Sequence, residues 1–181
     1  MKFFDKIKKN LANLALTQKL KSLNRNRQVY NLNTAKTAGI IFTANHESDW
    51  LQIKDFIDFL KTQDIQSTIL AYLKNKKLKY YYTQLNKINF FSIEDLKWAY
   101  IPKPDVVQKF LEKEYDLLID MDIEHSFPTS YITALSKARF KVGLKNGEEN
   151  NYFDFMIDLG KFKNKEEYLK QIKHYLSIIN N

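Results

Sequence analysis

Residues 114–147 read EYDLLIDMDIEHSFPTSYITALSKARFKVGLKNG, and the fold follows from how this stretch divides. Tyr115, Leu117, Leu118, Ile119 and Met121 form a short, nearly continuous apolar run. Such a run suits a parallel strand covered on both faces. Asp120 and Asp122 interrupt its end, and Glu124, His125 and Ser126 continue as a polar loop. Pro128 then suits the first turn of a helix, where its missing N–H costs nothing. Tyr131, Ile132, Leu135 and Ala138 recur at three- and four-residue spacing, giving that helix one face for a sheet. Phe140, Val142 and Leu144 alternate as the next strand, with Gly143 permitting close backbone approach. The stretch is one β-α-β unit, and its crossover is expected to be right-handed.

Working outward, Gly39 to Ala44 predicts another strand and Gln66 to Leu73 a further one. Trp50, Ile53, Ile57 and Leu60 mark the helix between them, with Ser48 as its expected N-cap. Residues 78–101 are rich in tyrosine and read less clearly. Ile88 to Phe91 suits a short edge strand, and Pro102 and Pro104 argue against helix there. Asp105 is expected to cap a short helix through Glu112. After Leu144, Asn146 to Asn150 reads as a turn with Gly147 its candidate for positive φ. Tyr152 to Ile157 then predicts a strand, expected antiparallel to Phe140–Leu144 because the connection is short. Tyr168, Leu169, Ile172, Leu176 and Ile179 mark a closing amphipathic helix. The whole predicts an α/β fold of three layers, with a mostly parallel sheet of about five strands, flavodoxin-like or Rossmann-like, covering residues 37–181.

Residues 1–36 form a basic segment ahead of it. Nine of the 29 Lys and Arg residues fall there, against one of the 21 Asp and Glu, which is 9 − 1 = +8. The remainder carries 20 of each sign, so the body is neutral and the segment holds the entire excess. Such asymmetry suggests an anionic partner, a nucleic acid or a membrane face, met by Lys6, Lys8, Lys9, Lys19, Lys21, Arg25 and Arg27. Lys74, Lys76, Lys77 and Lys79 beside tyrosines 80 to 82 could support the nucleic-acid version. Phe3, Phe4, Ile7, Leu11 and Leu14 lie on one helical stripe, with Leu16, Leu20 and Leu23 nearly opposite. A helix of that kind either breaks near Ala15 or touches two surfaces. Asn24 to Lys36 is polar and reads as a linker or irregular loop.

Composition narrows the chemistry. At 181 residues with 26 aromatic side chains (2 Trp, 11 Tyr, 13 Phe) a packed core is expected. The chain has no cysteine, which removes disulfides, thiolate metal sites and a thiol nucleophile, and fits a reducing cytoplasm. No signal peptide or spanning segment is read at the N-terminus. Four glycines leave no G-x-G-x-x-G, Walker or G-x-S-x-G motif.

In an open parallel sheet, ligands bind beyond the carboxyl ends of the strands. Two polar loops should meet there. Asn45, His46, Glu47 and Asp49 follow the first strand, and Asp120, Asp122, Glu124 and His125 follow the central one. Carboxylates and two imidazoles together could serve a divalent metal or acid–base work. The plainer reading is that these residues cap helices and solvate loops, and no metal-ligand spacing is met. No cofactor is specified.

The strings YDLLIDMD, SFPTSYITALSKARFKVG, YFDFMIDLG and HYLSIIN resemble a family of small bacterial proteins described only as a domain of unknown function. That resemblance covers most of the chain and implies no activity. YDLLIDMD followed by ALSKARFKVG is also similar to one β-α-β unit of heptosyltransferase-type glycosyltransferases. Those enzymes use two Rossmann-like domains with the donor site largely on the second, and this chain is too short for both. Two functions therefore stand as expectations. One is a non-catalytic α/β protein whose basic segment contacts an anionic surface, either nucleic acid or a membrane face, or else covers its own sheet. The alternative is a small enzyme or nucleotide-sugar binder using Asp120, Asp122, His46 and His125.

Overall fold

A computed structural model describes residues 2–86, 88–145, 152–160 and 164–180; the turn expected at 146–150, with Gly147, lies outside them. Six strands make one sheet: β1 (Thr37–Ala44), β2 (Gln66–Leu73), β3 (Ile88–Ser92), β4 (Leu117–Asp120), β5 (Phe140–Leu144) and β6 (Phe155–Ile157). Their order is β3-β2-β1-β4-β5-β6, and every neighbouring pair is parallel. This is the doubly wound Rossmann order, with its switch point between β1 and β4.

Side-chain alternation divides two cores. Ile40, Phe42, Ile69, Ala71, Leu117 and Ile119 face one side. There they meet α2 (Ser48–Thr62), Tyr82 of α3 (Lys79–Gln84) and α6 (Lys165–Ile178). Ile41, Leu70, Tyr72 and Leu118 face the other side, against α4 (Pro104–Glu112), α5 (Phe127–Leu135) and Leu16 of α1 (Lys2–Lys21). Period-two strands between two helical layers thus produce the expected three-layer architecture.

Several local expectations change. Helix α1 does not break near Ala15; it stays continuous and packs against α5, with Ala12 wholly buried. Pro104 opens α4 instead of excluding it, because a first-turn proline has no N–H to lose, and Asp105 makes no side-chain cap. Helix α2 starts at Ser48, so its N-cap position is Glu47, again without a side-chain cap bond.

The larger correction is β6, which runs parallel to β5, with Val142 opposite Phe155 and Leu144 opposite Ile157. The described end of the connection, Tyr152–Asp154, lies against β5. A Cβ added at Gly143 would stand 2.2 Å from the Phe153 ring, so that ring occupies the position the glycine leaves vacant. Asp154 then accepts a hydrogen bond from Lys141 N at 2.8 Å, pinning the return.

The segment after α1 is irregular but tied down. Tyr30, Leu32 and Ala35 belong to the core. Gln28 N donates to Arg139 O at 3.2 Å, and Leu32 N to Leu176 O at 2.9 Å. Arg25 donates to Asp154, and also to the carbonyls of Tyr152 and Arg139. Among the described residues no helix is long and apolar enough to cross a membrane.

Substituting Gly143→Ala should therefore cost about 1–3 kcal/mol, the usual penalty of overpacking. Urea titration of the variant should show a lowered midpoint, part of which Phe153→Leu restores. An unchanged midpoint for Gly143→Ala would contradict the packing described.

Candidate functional site

Strands β1 and β4 end side by side at the switch point, and their loops meet. Asn45 Nδ2 donates to Glu124 Oε1 at 2.7 Å, and Lys74 Nζ, just beyond β2, donates to Glu124 Oε2 at 2.8 Å. Asp49, in the first turn of α2, closes the first loop by accepting from Asn45 N at 2.8 Å and His46 N at 2.9 Å. Its other oxygen takes Lys165 Nζ from α6 at 2.7 Å. Burial pushes the Asp49 carboxyl up, but the Lys165 bond and the two backbone donors outweigh it, leaving the group below its ordinary value.

Asp120 and Asp122 lie two residues apart along extended chain, so their side chains share a side of the sheet, beneath α5. Helix α5 meets them with Thr129 and Thr133, four apart and hence on one helical face. Thr133 Oγ1 donates to Asp120 Oδ2 at 2.8 Å, and Asp122 N donates to Asp120 Oδ1 at 3.0 Å. Asp122 Oδ2 accepts from Thr43 Oγ1 at 2.7 Å, Thr129 Oγ1 at 2.7 Å and Ser126 N at 2.8 Å, while its Oδ1 takes Glu124 N at 3.0 Å. Tyr168 of α6 donates to Asp120 O at 2.7 Å.

The loops that were expected to converge thus do so, with Asp120 and Asp122 buried on the protein's own donors and Glu124 bridging the loops at the surface. His46 and Glu47 are exposed, and His125 is half-buried with φ +52° in the left-handed region. A crevice of about 160 Å³ remains between the loops, lined by Thr43, Asn45, Asp49, Gln52, Glu124 and Lys165 among others. Among the described residues no group of three or more His, Asp or Glu is arranged to hold a metal ion. The residues that organise this rim without having been singled out are Thr43, Thr129, Thr133, Lys165 and Tyr168. The Thr129/Thr133 spacing on an otherwise apolar helix was the available signal.

The basic segment divides similarly. Arg25 is drawn inward, its side chain 6% exposed beside Asp154, so it acts as a clamp and not as a surface contact. Burial lowers its pKa despite the neighbouring carboxylate. Arg27 is exposed, with Nε 3.8 Å from Asp154. Lys8 Nζ sits 5.9 Å from the Tyr100 ring centre and Lys19 Nζ 5.6 Å from that of Tyr131. Lys21 is exposed; Lys6 and Lys9 lie in α1, with side chains outside the described residues. Behind the clamp, Lys141 is buried and donates to Ala134 O at 2.9 Å. Burial, aided by the Arg25 charge, pulls its pKa down to about 7.

Burial, reinforced by the Asp122 charge, pushes Asp120 from 3.8 up to about 7. A raised carboxyl pKa means the folded state keeps a proton that the unfolded chain has already lost. Its contribution to stability therefore falls as pH rises from about 4 to about 7, then levels off. In Asp120→Asn, where the Thr133 hydroxyl can turn to accept, this slope should vanish. Thermal unfolding midpoints across that range test it; a slope equal to wild type would rule out Asp120 as its source.

No curated protein matches this chain. Among solved structures it is similar to the E. coli heptosyltransferase WaaC with ADP-2-deoxy-2-fluoro heptose, at 13% identity and a TM-score of 0.48. The match covers 78% of this chain and 48% of that one, so this chain spans about half the length of the enzyme. The model of a family of unknown function (DUF6913) matches residues 8–179, the whole sheet and most of α1, and the chain belongs to that family.

Proposed function

We propose that the chain is a non-catalytic binding module that sits on an anionic membrane face through the outer side of α1. The observation that carries this reading is a helix with two apolar sides, one of which is unused by the fold. At 100° per residue, Ile7, Leu11 and Leu14 share an arc of about 60°, roughly opposite the buried Ala12 and the half-buried Leu16. These three are 38%, 44% and 66% exposed. They sit on the segment that holds the whole positive excess. An aliphatic stripe bordered by lysines is how a helix lies in the plane of a lipid interface, with acidic headgroups attracting the charge. Nucleic acid would reward the lysines but has no use for three exposed aliphatic side chains.

The alternative, a nucleotide-sugar enzyme, has less to support it. Asp49, Asp120, Asp122 and Glu124 are all committed to internal partners. The crevice between the loops, about 160 Å³, is well below the roughly 300–1,000 Å³ of small-molecule sites.

Co-sedimentation with phosphatidylserine-containing vesicles tests the proposal. The wild-type protein should pellet at low salt, weakly at high salt, and not with pure phosphatidylcholine. Leu11→Asp with Leu14→Asp, both on the exposed side, should lower binding by at least about tenfold while leaving the fold intact. Failure of the wild type to pellet, or tight binding of single-stranded RNA untouched by these substitutions, would sink it.

A further inference from the structure

The loop between β3 and α4 packs Leu96, Ala99 and Ile101 on the core but leaves Trp98 outside it. Strand β3 ends in a capped turn at Ile93–Asp95, where Asp95 Oδ2 accepts from Ser92 N at 2.8 Å and Glu94 N donates to Ser92 Oγ at 3.3 Å. The chain then makes a tight hairpin. Leu96 pairs with Pro102 in antiparallel fashion, Lys97 N donates to Ile101 O at 2.7 Å, and Lys103 N donates to Asp95 O at 2.9 Å. The turn is closed by Tyr100 N donating to Lys97 O at 3.0 Å, with Tyr100 at φ +60°, a conformation a non-glycine residue adopts at a cost. This well-tied hairpin holds Trp98 at its tip, 65% exposed. A tryptophan carries one of the largest apolar surfaces of any side chain, and here the core claims little of it.

The base of the same hairpin gathers positive charge. Lys79 Nζ lies 2.6 Å and Lys76 Nζ 4.0 Å from the Glu94 carboxylate, and Lys103 Nζ donates to Glu94 O at 2.9 Å. Two ammonium groups thus flank one carboxylate, and a third sits on the backbone carbonyl of the same residue. That carboxylate is half-exposed, so its ion pairs are screened and easily exchanged for another anion. Lys8 of α1 stands over the Tyr100 ring, which places the first turns of α1 and the hairpin at one corner of the molecule.

We propose that this hairpin is a membrane-docking loop: Trp98 enters the lipid interface while Lys76, Lys79 and Lys103 engage the phosphate groups of anionic headgroups. The inference rests on the membrane reading of α1 and adds a second point of attachment beside it. Tryptophan settles at headgroup depth, and lysines near an acidic surface supply the complementary charge. The same chemistry could stack on RNA bases. The adjoining Ile7, Leu11 and Leu14 stripe, which cannot stack, favours lipid.

Trp98 is one of only two tryptophans, so Trp50→Phe turns it into a specific reporter. On mixing with phosphatidylserine vesicles its emission should shift to the blue and be quenched by brominated acyl chains. In the full chain, Trp98→Ala should weaken pelleting, and Lys76→Ala and Lys79→Ala should each lower the partition by about fivefold. If Trp50→Phe disturbs folding, pelleting of Trp98→Ala in the otherwise unaltered chain decides the matter. Wild-type vesicle binding with unchanged Trp98 emission and no effect of Trp98→Ala overturns the hairpin assignment but leaves the α1 reading in place. Absence of vesicle binding overturns both. A Trp98 response to oligouridylate and not to vesicles also overturns the lipid assignment.

Discussion

A carboxylate shut away from water has to be met by donors, and around Asp122 that requirement shapes the carboxyl end of the sheet. Its oxygens collect the Thr43 hydroxyl from β1, the Thr129 hydroxyl from α5, and the backbone N–H groups of Glu124 and Ser126. Four donors from two strand ends and a helix fix the approach of β1 to β4 and the entry angle of α5 together. Leaving any one unmade would strand a buried polar group, which costs more than a hydrogen bond ordinarily contributes. Asp120 repeats the arrangement one step deeper, with Thr133 and the backbone of its neighbour, and the Tyr168 hydroxyl joins α6 from the opposite layer. The two helical layers are thereby referred to Asp120, the last residue of β4, and Asp122 just beyond it.

A second buried ionic group sits at the other end of the molecule. Arg25, Asp154 and Lys141 meet where the chain leaving α1 passes the return from β5 to β6. Because breaking such a pair leaves a buried charge unmatched, the segment after α1 is held in register with the sheet. The inner side of α1 is held by Ala12 and Leu16. A helix fastened in this way cannot roll to hide Ile7, Leu11 and Leu14. Their exposure is a consequence of what the other side is fastened to.

Much of this was legible in the chain itself, because it depends on periodicity. The apolar run at 115–121, the i, i+3, i+4 spacing at 131–138 and the alternation at 140–144 each admit one reading, and the parallel sheet with convergent loops follows. What was not legible depends on partners far away in sequence. Nothing near Arg25 reveals that Asp154 lies beside it, so a buried clamp looks identical to a solvated cation. The direction of β6 was hidden for a related reason: connection length argues for a hairpin, and only Phe153 seated on Gly143 permits a short parallel return. The two sides of α1 were visible, but choosing between a break and a second surface required knowing how firmly the first is held.

In most doubly wound folds the crevice at the switch point is where the protein meets its ligand. In this chain the loops at that position are tied to one another by internal hydrogen bonds and the Asp49–Lys165 pair, around a crevice of about 160 Å³. The buried polar groups there satisfy one another. Exposed apolar side chains lie instead on the periphery, in the aliphatic side of α1 and in the hairpin that holds Trp98. These features are joined at the contact between Lys8 and Tyr100. A sheet whose strand ends are tied together in this way gives such a corner a fixed base. The physical demand that ties the loops is thus also the one that anchors the helices bearing the outer surface.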